Sequence, residues 1–107
     1  MPPRWLPAVL ARIRELAARR KVHFTLKALR ELAGLAMGLD EEDACDVLAN
    51  LVASEFTERL RSKTTKEWMH VFKPEVGGIS VYLKVILRAD CVVISFHEER
   101  DRSHEDE

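Results

Sequence analysis

The stretch Ile79-Ser80-Val81-Tyr82-Leu83-Lys84-Val85-Ile86-Leu87-Arg88-Ala89-Asp90-Cys91-Val92-Val93-Ile94-Ser95-Phe96-His97-Glu98 decides the fold. Apolar and polar side chains alternate over Ser80–Lys84 and Ile94–His97, β-branched and aromatic residues are frequent, and Ala89-Asp90 makes a short break, the pattern of a β-hairpin. A two-residue turn at Ala89-Asp90 sets Arg88 opposite Cys91. One face then carries Leu83 with Phe96, Val85 with Ile94 and Leu87 with Val92, all apolar and suited to packing against helices. The other carries Tyr82 with His97, Lys84 with Ser95 and Arg88 with Cys91. Directly opposed residues have Cβ atoms roughly 4.5–5.5 Å apart. A phenol, an ammonium and an imidazole therefore meet on one small patch.

Upstream of this hairpin the period is also 2 from Ser54 onward, which predicts strands over Glu55–Lys63 and Glu67–Lys73 joined at Thr64-Thr65. That turn opposes Arg61 to Trp68, Leu60 to Met69, Arg59 to His70 and Glu58 to Val71. Arg59, Arg61 and His70 then share a face. If it continues the Tyr82 face, the two arginines grip phosphates and His70 is a second acid or base. Lys63, Lys73 and Arg88 are further basic candidates, and Trp68 reads as a packing residue. Pro74 to Gly78 connects the two hairpins. No helix follows Gly77-Gly78, so that pair is a turn and not a phosphate cradle.

The N-terminal half has the helical period. Over Leu6 to Arg20 the residues Val9, Leu10, Ile13, Leu16 and Ala17 fall on one face, with Arg12, Arg14, Glu15 and Arg19 on the other. Thr25 caps a second helix bearing Leu26, Leu29 and Leu32 inward, ended by Gly34 or Gly38. Asp40 caps a third, with Cys45, Leu48 and Leu51 inward and Glu41 and Glu42 in its first turn. Short connections make the four strands sequential antiparallel neighbours. The expected fold is α+β, N-terminal helices packed on one face of an antiparallel sheet.

A chain of 107 residues, 47% hydrophobic, has the size of one domain, expected over residues 1–98, with an acidic, disordered tail over 99–107. Residues 1–97 carry 15 basic against 12 acidic side chains, a mild surplus that permits a nucleic-acid partner without requiring one. The two cysteines, Cys45 and Cys91, are far apart with no CxxC, so they read as buried thiols; neither a disulfide framework nor a zinc site is suggested. His23 has no suitably spaced ligand partners. No apolar run reaches 18 residues and Arg12 and Arg14 interrupt the N-terminal one, so the expectation is a soluble cytoplasmic protein without a membrane partner. A DNA reader built on the third helix is disfavoured by Glu41, Glu42, Asp43 and Asp46, the wrong sign for a major groove.

Tyr82, Lys84 and His97 suit cleavage of RNA by its own 2′-hydroxyl. That hydroxyl must lose a proton, the crowded phosphate oxygens need positive charge, and the leaving 5′-oxygen must gain a proton. Histidine exchanges protons near neutral pH, lysine neutralises phosphate, and tyrosine donates a hydrogen bond or stacks on a base. No metal or other cofactor is needed. An imidazole at a strand end and a Tyr–Lys pair on an exposed sheet are also ordinary solvated surface. The residues alone therefore leave a non-catalytic RNA- or protein-binding module open beside the enzyme.

Phe56, the run Trp68-Met69-His70-Val71-Phe72-Lys73-Pro74, Val81-Tyr82-Leu83-Lys84 and Val92-Val93-Ile94-Ser95-Phe96-His97-Glu98 together resemble the MqsR family of toxins. The likeness covers roughly residues 54–99, and the helical half more loosely. It implies a RelE-like α+β fold, a metal-independent endoribonuclease acting on mRNA, and a cognate antitoxin of the zinc-binding, helix-turn-helix MqsA kind. The family's functional tyrosine falls on Tyr82 and its lysine after Ser-Phe falls on His97. Its glutamine after tryptophan falls on Met69, which offers no useful donor or acceptor, and its lysine near the first strand falls near Glu58 or Arg59.

Overall fold

The computed structural model describes residues 2–99; the expected tail from residue 100 lies outside them. Helix α1 spans Leu6–Ala18, with Pro7 in its first turn, where a missing N–H costs nothing. It buries Leu6, Leu10, Ile13, Leu16 and Ala17. Helix α2, Leu26–Gly34, is capped by Thr25, whose hydroxyl accepts the Ala28 N–H at 3.1 Å. Helix α3, Glu41–Ala49, begins with a reciprocal capping box: Asp43 N–H donates to Asp40 at 2.9 Å and Asp40 N–H to Asp43 at 3.0 Å. Backbone N–H groups hold the Asp40 carboxyl below the usual range. Arg20 ties the end of α1 to α3 through Glu42 and Asp46, each at 2.9 Å.

The expected faces of α1 and α3 hold, but on α2 only Leu32 of the three expected leucines is buried; Leu29 is half-buried and lies outside the core cluster. Cys45, Leu48 and Leu51 are buried. Leu26 is 63% exposed, and α2 instead buries Ala28 and Leu32. A spacing of exactly three drifts off a face whose period is 3.6, and this moves Leu26 to the rim.

The strands are β1 (Val22–Phe24), β2 (Phe56–Arg61), β3 (Trp68–Phe72), β4 (Glu75–Val76), β5 (Ile79–Leu87) and β6 (Cys91–Glu98). The order across the sheet is β1-β6-β5-β3-β2, with β4 paired to β5 off that path. The four long strands are antiparallel neighbours in sequence, as expected. Two short strands join them. β1 adds in parallel to β6, and β4 folds onto β5 through Gly77-Gly78, both at positive φ, a conformation open to glycine. Leu10, Ile13, Leu16, Leu32 and Leu48 from the helices close over Phe72, Leu83, Val85, Val93 and Phe96 to form the core. Among the described residues the helical core packs on this one face; on the opposite face Val71, Ile86 and Ser95 are buried outside that core, and Tyr82, Lys84 and His97 are half-buried.

The first hairpin has the predicted register, Arg61 facing Trp68, Leu60 facing Met69, Arg59 facing His70 and Glu58 facing Val71. The second has it only in its outer half, where Tyr82 faces His97, Leu83 faces Phe96 and Lys84 faces Ser95. A bulge follows, and the inner pairs are Val85 with Val93, Ile86 with Val92 and Leu87 with Cys91. Val93 and Cys91 therefore take the core positions expected for Ile94 and Val92, and Arg88 does not face Cys91. The reversal is wider than two residues, closed by Arg88 N–H on the Asp90 carbonyl at 2.9 Å, and Ile94 is the extra residue that restores the outer register. Cys91 is fully buried and its thiol is pushed up to about 12, chiefly by burial, so it is a packing group. Glu99, first residue of the expected tail, donates its N–H to the Ser80 carbonyl at 2.8 Å.

Candidate active site on the open face of the sheet

Side chains alternate along a strand, so the pairing between the two hairpins decides which residues share a face. That pairing sets His70 beside Val85, Val71 beside Lys84 and Phe72 beside Leu83. The open face therefore gathers Tyr82, Lys84, Ser95 and His97 with Glu58, Leu60, Met69 and Val71. Arg59, Arg61, Trp68 and His70 lie on the other face, at the margin of the helical layer. The Arg59–Arg61–His70 face does not continue the Tyr82 face.

Tyr82 and His97 are stacked, ring centres 5.1 Å apart and planes within 12° of parallel. The Lys84 ammonium is 5.9 Å from the centre of the Tyr82 ring. His97 Nδ1 is 2.9 Å from the Glu98 carbonyl oxygen. A carbonyl only accepts, so Nδ1 carries the hydrogen, and in the neutral ring Nε2 keeps the lone pair. The stack and this hydrogen bond fix the imidazole from two directions.

One contributor had no signal in the sequence. Lys27, on α2, donates to Ser95 Oγ at 2.9 Å and pairs with Glu31 at 2.8 Å. Glu31 also accepts the Phe96 N–H at 2.9 Å. A second ammonium thereby reaches the cross-strand partner of Lys84. The spacing of Lys27 and Glu31 marks a helical pair, but nothing in it points to Ser95, 68 residues away.

The remaining candidates are occupied or remote. Arg88 forks onto Glu67 at 2.7 and 2.8 Å, which holds that carboxyl at about 2. Lys73 holds Glu99 at 3.2 Å, and Lys63 is exposed in the connection after β2. His70 is 5% exposed, packed beside Trp5 with ring centres 5.7 Å apart, and its Nδ1 has no hydrogen-bond partner. Burial first, and the Arg59 charge second, push its pKa down. Buried on the other face of the sheet, His70 is not placed to act as a second acid or base on a ligand at the Tyr82 face. Trp68, read as a packing residue, is 38% exposed and packs on two guanidinium groups.

The lowered His70 pKa has a measurable consequence. The unfolded chain takes up that proton more readily than the folded one, so the contribution to stability is whole above the ordinary histidine range and declines as pH falls through it. His70→Leu is expected to lose less stability than wild type between about pH 7.5 and about pH 5. Urea unfolding at the two pH values checks this; identical losses would contradict it.

Three helices packed on one sheet of mostly antiparallel strands define an α+β domain, and the phenol, imidazole and ammonium share the sheet face opposite the core. The family model for the motility quorum-sensing regulator, toxin of MqsA, matches residues 7–98, and the chain belongs to that family. It is also similar to the mRNA interferase toxin MqsR of Escherichia coli, 29% identical over 91 residues that cover 84% of this chain and 91% of the relative.

Proposed function

We propose that this chain is the toxin of a type II toxin–antitoxin pair, a cytoplasmic, metal-independent endoribonuclease that cuts mRNA by attack of the 2′-hydroxyl. The observation that carries the reading is the Tyr82–His97 stack beside Lys84 on the sheet face opposite the core. It fits the activity named for the relative in Escherichia coli. In the proposed reaction His97 Nε2 takes the 2′-hydroxyl proton as the 2′-oxygen bonds to phosphorus. The bond from phosphorus to the 5′-oxygen breaks, and that oxygen receives a proton from Tyr82, which is restored by the imidazolium through water. Lys84 neutralises the phosphate oxygens, with Lys27 behind it.

The proposed partner is an MqsA-like antitoxin, zinc-binding and helix-turn-helix, in line with the family description. A second reading, a binding module that does not turn over, is favoured by Met69 and Glu58, which both lie on the open face where the resemblance puts a glutamine and one choice for a lysine.

Pure protein incubated with RNA in excess chelator is expected to give fragments ending in a 2′,3′-cyclic phosphate. A single 2′-deoxy substitution at the cut nucleotide should abolish that cut. Fragments that appear only with added divalent metal, or despite the deoxy substitution, would sink the proposed chemistry. RNA that is retained but never cut would select the binding module.

A further inference from the structure

The helix-side margin of β2 and β3 carries an alternating set of indoles and guanidinium groups. The Arg59 guanidinium carbon is 4.0 Å from the centre of the Trp5 ring and 3.9 Å from that of Trp68. Arg61 is 4.0 Å from Trp68. Trp5 is in turn braced edge-on by Phe56, ring centres 5.3 Å apart. Each arginine is thus held by ring contacts that leave its in-plane N–H donors directed sideways.

Among the described residues no carboxylate pairs with Arg59 or Arg61, as none pairs with Arg4, Arg14 or Arg30; what sets Arg59 and Arg61 apart is that indole rings hold both of them side by side. The one hydrogen bond on either is Arg61 to the Lys66 carbonyl at 2.8 Å. The histidine beside Arg59 is buried and adds no anion. Two positive groups, rigidly held and uncompensated, form a prepared site for an anion, because little side-chain freedom remains to be lost on binding.

We propose that Trp5, Arg59, Trp68 and Arg61 form a second RNA site, a ledge that holds single-stranded RNA flanking the cut nucleotide. The inference rests on the ribonuclease reading of the open face. The outer plane of Arg61, at the free end of this stack, is a surface on which an unpaired base stacks, and the guanidinium edges suit phosphate oxygens. The path is short. β2 is the outer strand of the sheet, two strands from β5, and strands lie about 4.8 Å apart, so a few nucleotides reach around the edge from Tyr82 to the ledge. Binding and cutting then sit on opposite faces and are separable.

Trp5 and Trp68 are the only tryptophans in the chain, so indole fluorescence reports this ledge alone. The test titrates full-length protein with uncleavable 2′-O-methyl RNA, a trinucleotide and a decanucleotide, with polyglutamate as an anionic control. The decanucleotide is expected to change the emission, and the trinucleotide and polyglutamate to leave it nearly unchanged. Arg59→Gln with Arg61→Gln should weaken decanucleotide binding on the order of tenfold to a hundredfold. The slope of log affinity against log salt should fall by about 1.4, for two single-strand phosphates. Arg59→Lys with Arg61→Lys keeps the charge and loses the stacked plane, so affinity should recover in part without the emission change. Unchanged emission with the decanucleotide, or unchanged affinity in the Gln variant, overturns the ledge. So does an equal response to polyglutamate, which would assign it to an acidic protein. Because 2′-O-methyl RNA cannot be cut, failure of cleavage and failure of the ledge are read separately.

Discussion

His97→Ala is expected to lower RNA cleavage by about 10²–10⁴-fold, the usual worth of a positioned proton-transfer group, while RNA affinity and melting temperature change little. The imidazole is the one group at the Tyr82 patch whose tautomer the backbone fixes, through Nδ1 and the Glu98 carbonyl, with Nε2 left as the base. Alanine removes the base and one partner of the Tyr82 stack, but no buried contact. His97 is only half-buried at a strand end, and such substitutions usually stay within about 0.5 kcal/mol. Single-turnover cleavage of labelled RNA in chelator measures the loss, and thermal melting controls for folding. His97→Lys, the residue at this position in the resemblance, should recover part of the rate. Cleavage undiminished in His97→Ala would remove His97 from the reaction.

The Tyr82–His97 pairing was legible because alternation is strict at the outer end of the hairpin: Leu83 and Phe96 demand the core, and Tyr82 and His97 do not. Towards the turn that discrimination fails. Val92, Val93 and Ile94 are all β-branched and apolar, so either parity gives an apolar face, and a bulge leaves no mark. β1, only Val22–Phe24, is too short to show any period.

The relation between the hairpins was beyond sequence patterning for a different reason. Each turn fixes pairs within its own hairpin, and the pairing of Arg59 with His70 followed correctly from Thr64-Thr65. Whether His70 lies on the Tyr82 face depends on which residue of β5 it meets. Val85 rather than Lys84 is its neighbour, a shift of one residue that moves Arg59, Arg61 and His70 to the far side. The same step brings Glu58 and Met69 onto the open face. The open face is therefore poorer in cations than the sequence suggested, and the cations it lacks are those that stack with the two tryptophans.

Phe96→Ala, one residue from His97, is expected to have the opposite outcome: folding is lost and the chemistry is left intact in whatever remains folded. Phe96 is fully buried between the sheet and the helices. Truncating a buried phenylalanine costs about 3–5 kcal/mol, the lost transfer energy plus the cavity left behind. A domain of this size has roughly 5–15 kcal/mol in all. At about 4–8 °C per kcal/mol, the melting temperature should fall by about 12–40 °C. The backbone hydrogen bond from Phe96 to Glu31 survives the substitution, so the loss measures the side chain alone. A fall of less than about 5 °C would mean that the ring is not the core element its burial implies. Activity per folded molecule, measured well below the transition, should stay near wild type, because Tyr82, Lys84 and His97 face away from the cavity. Adjacent residues on one strand then divide cleanly, one carrying the fold and the other the reaction, as a side-chain period of two requires.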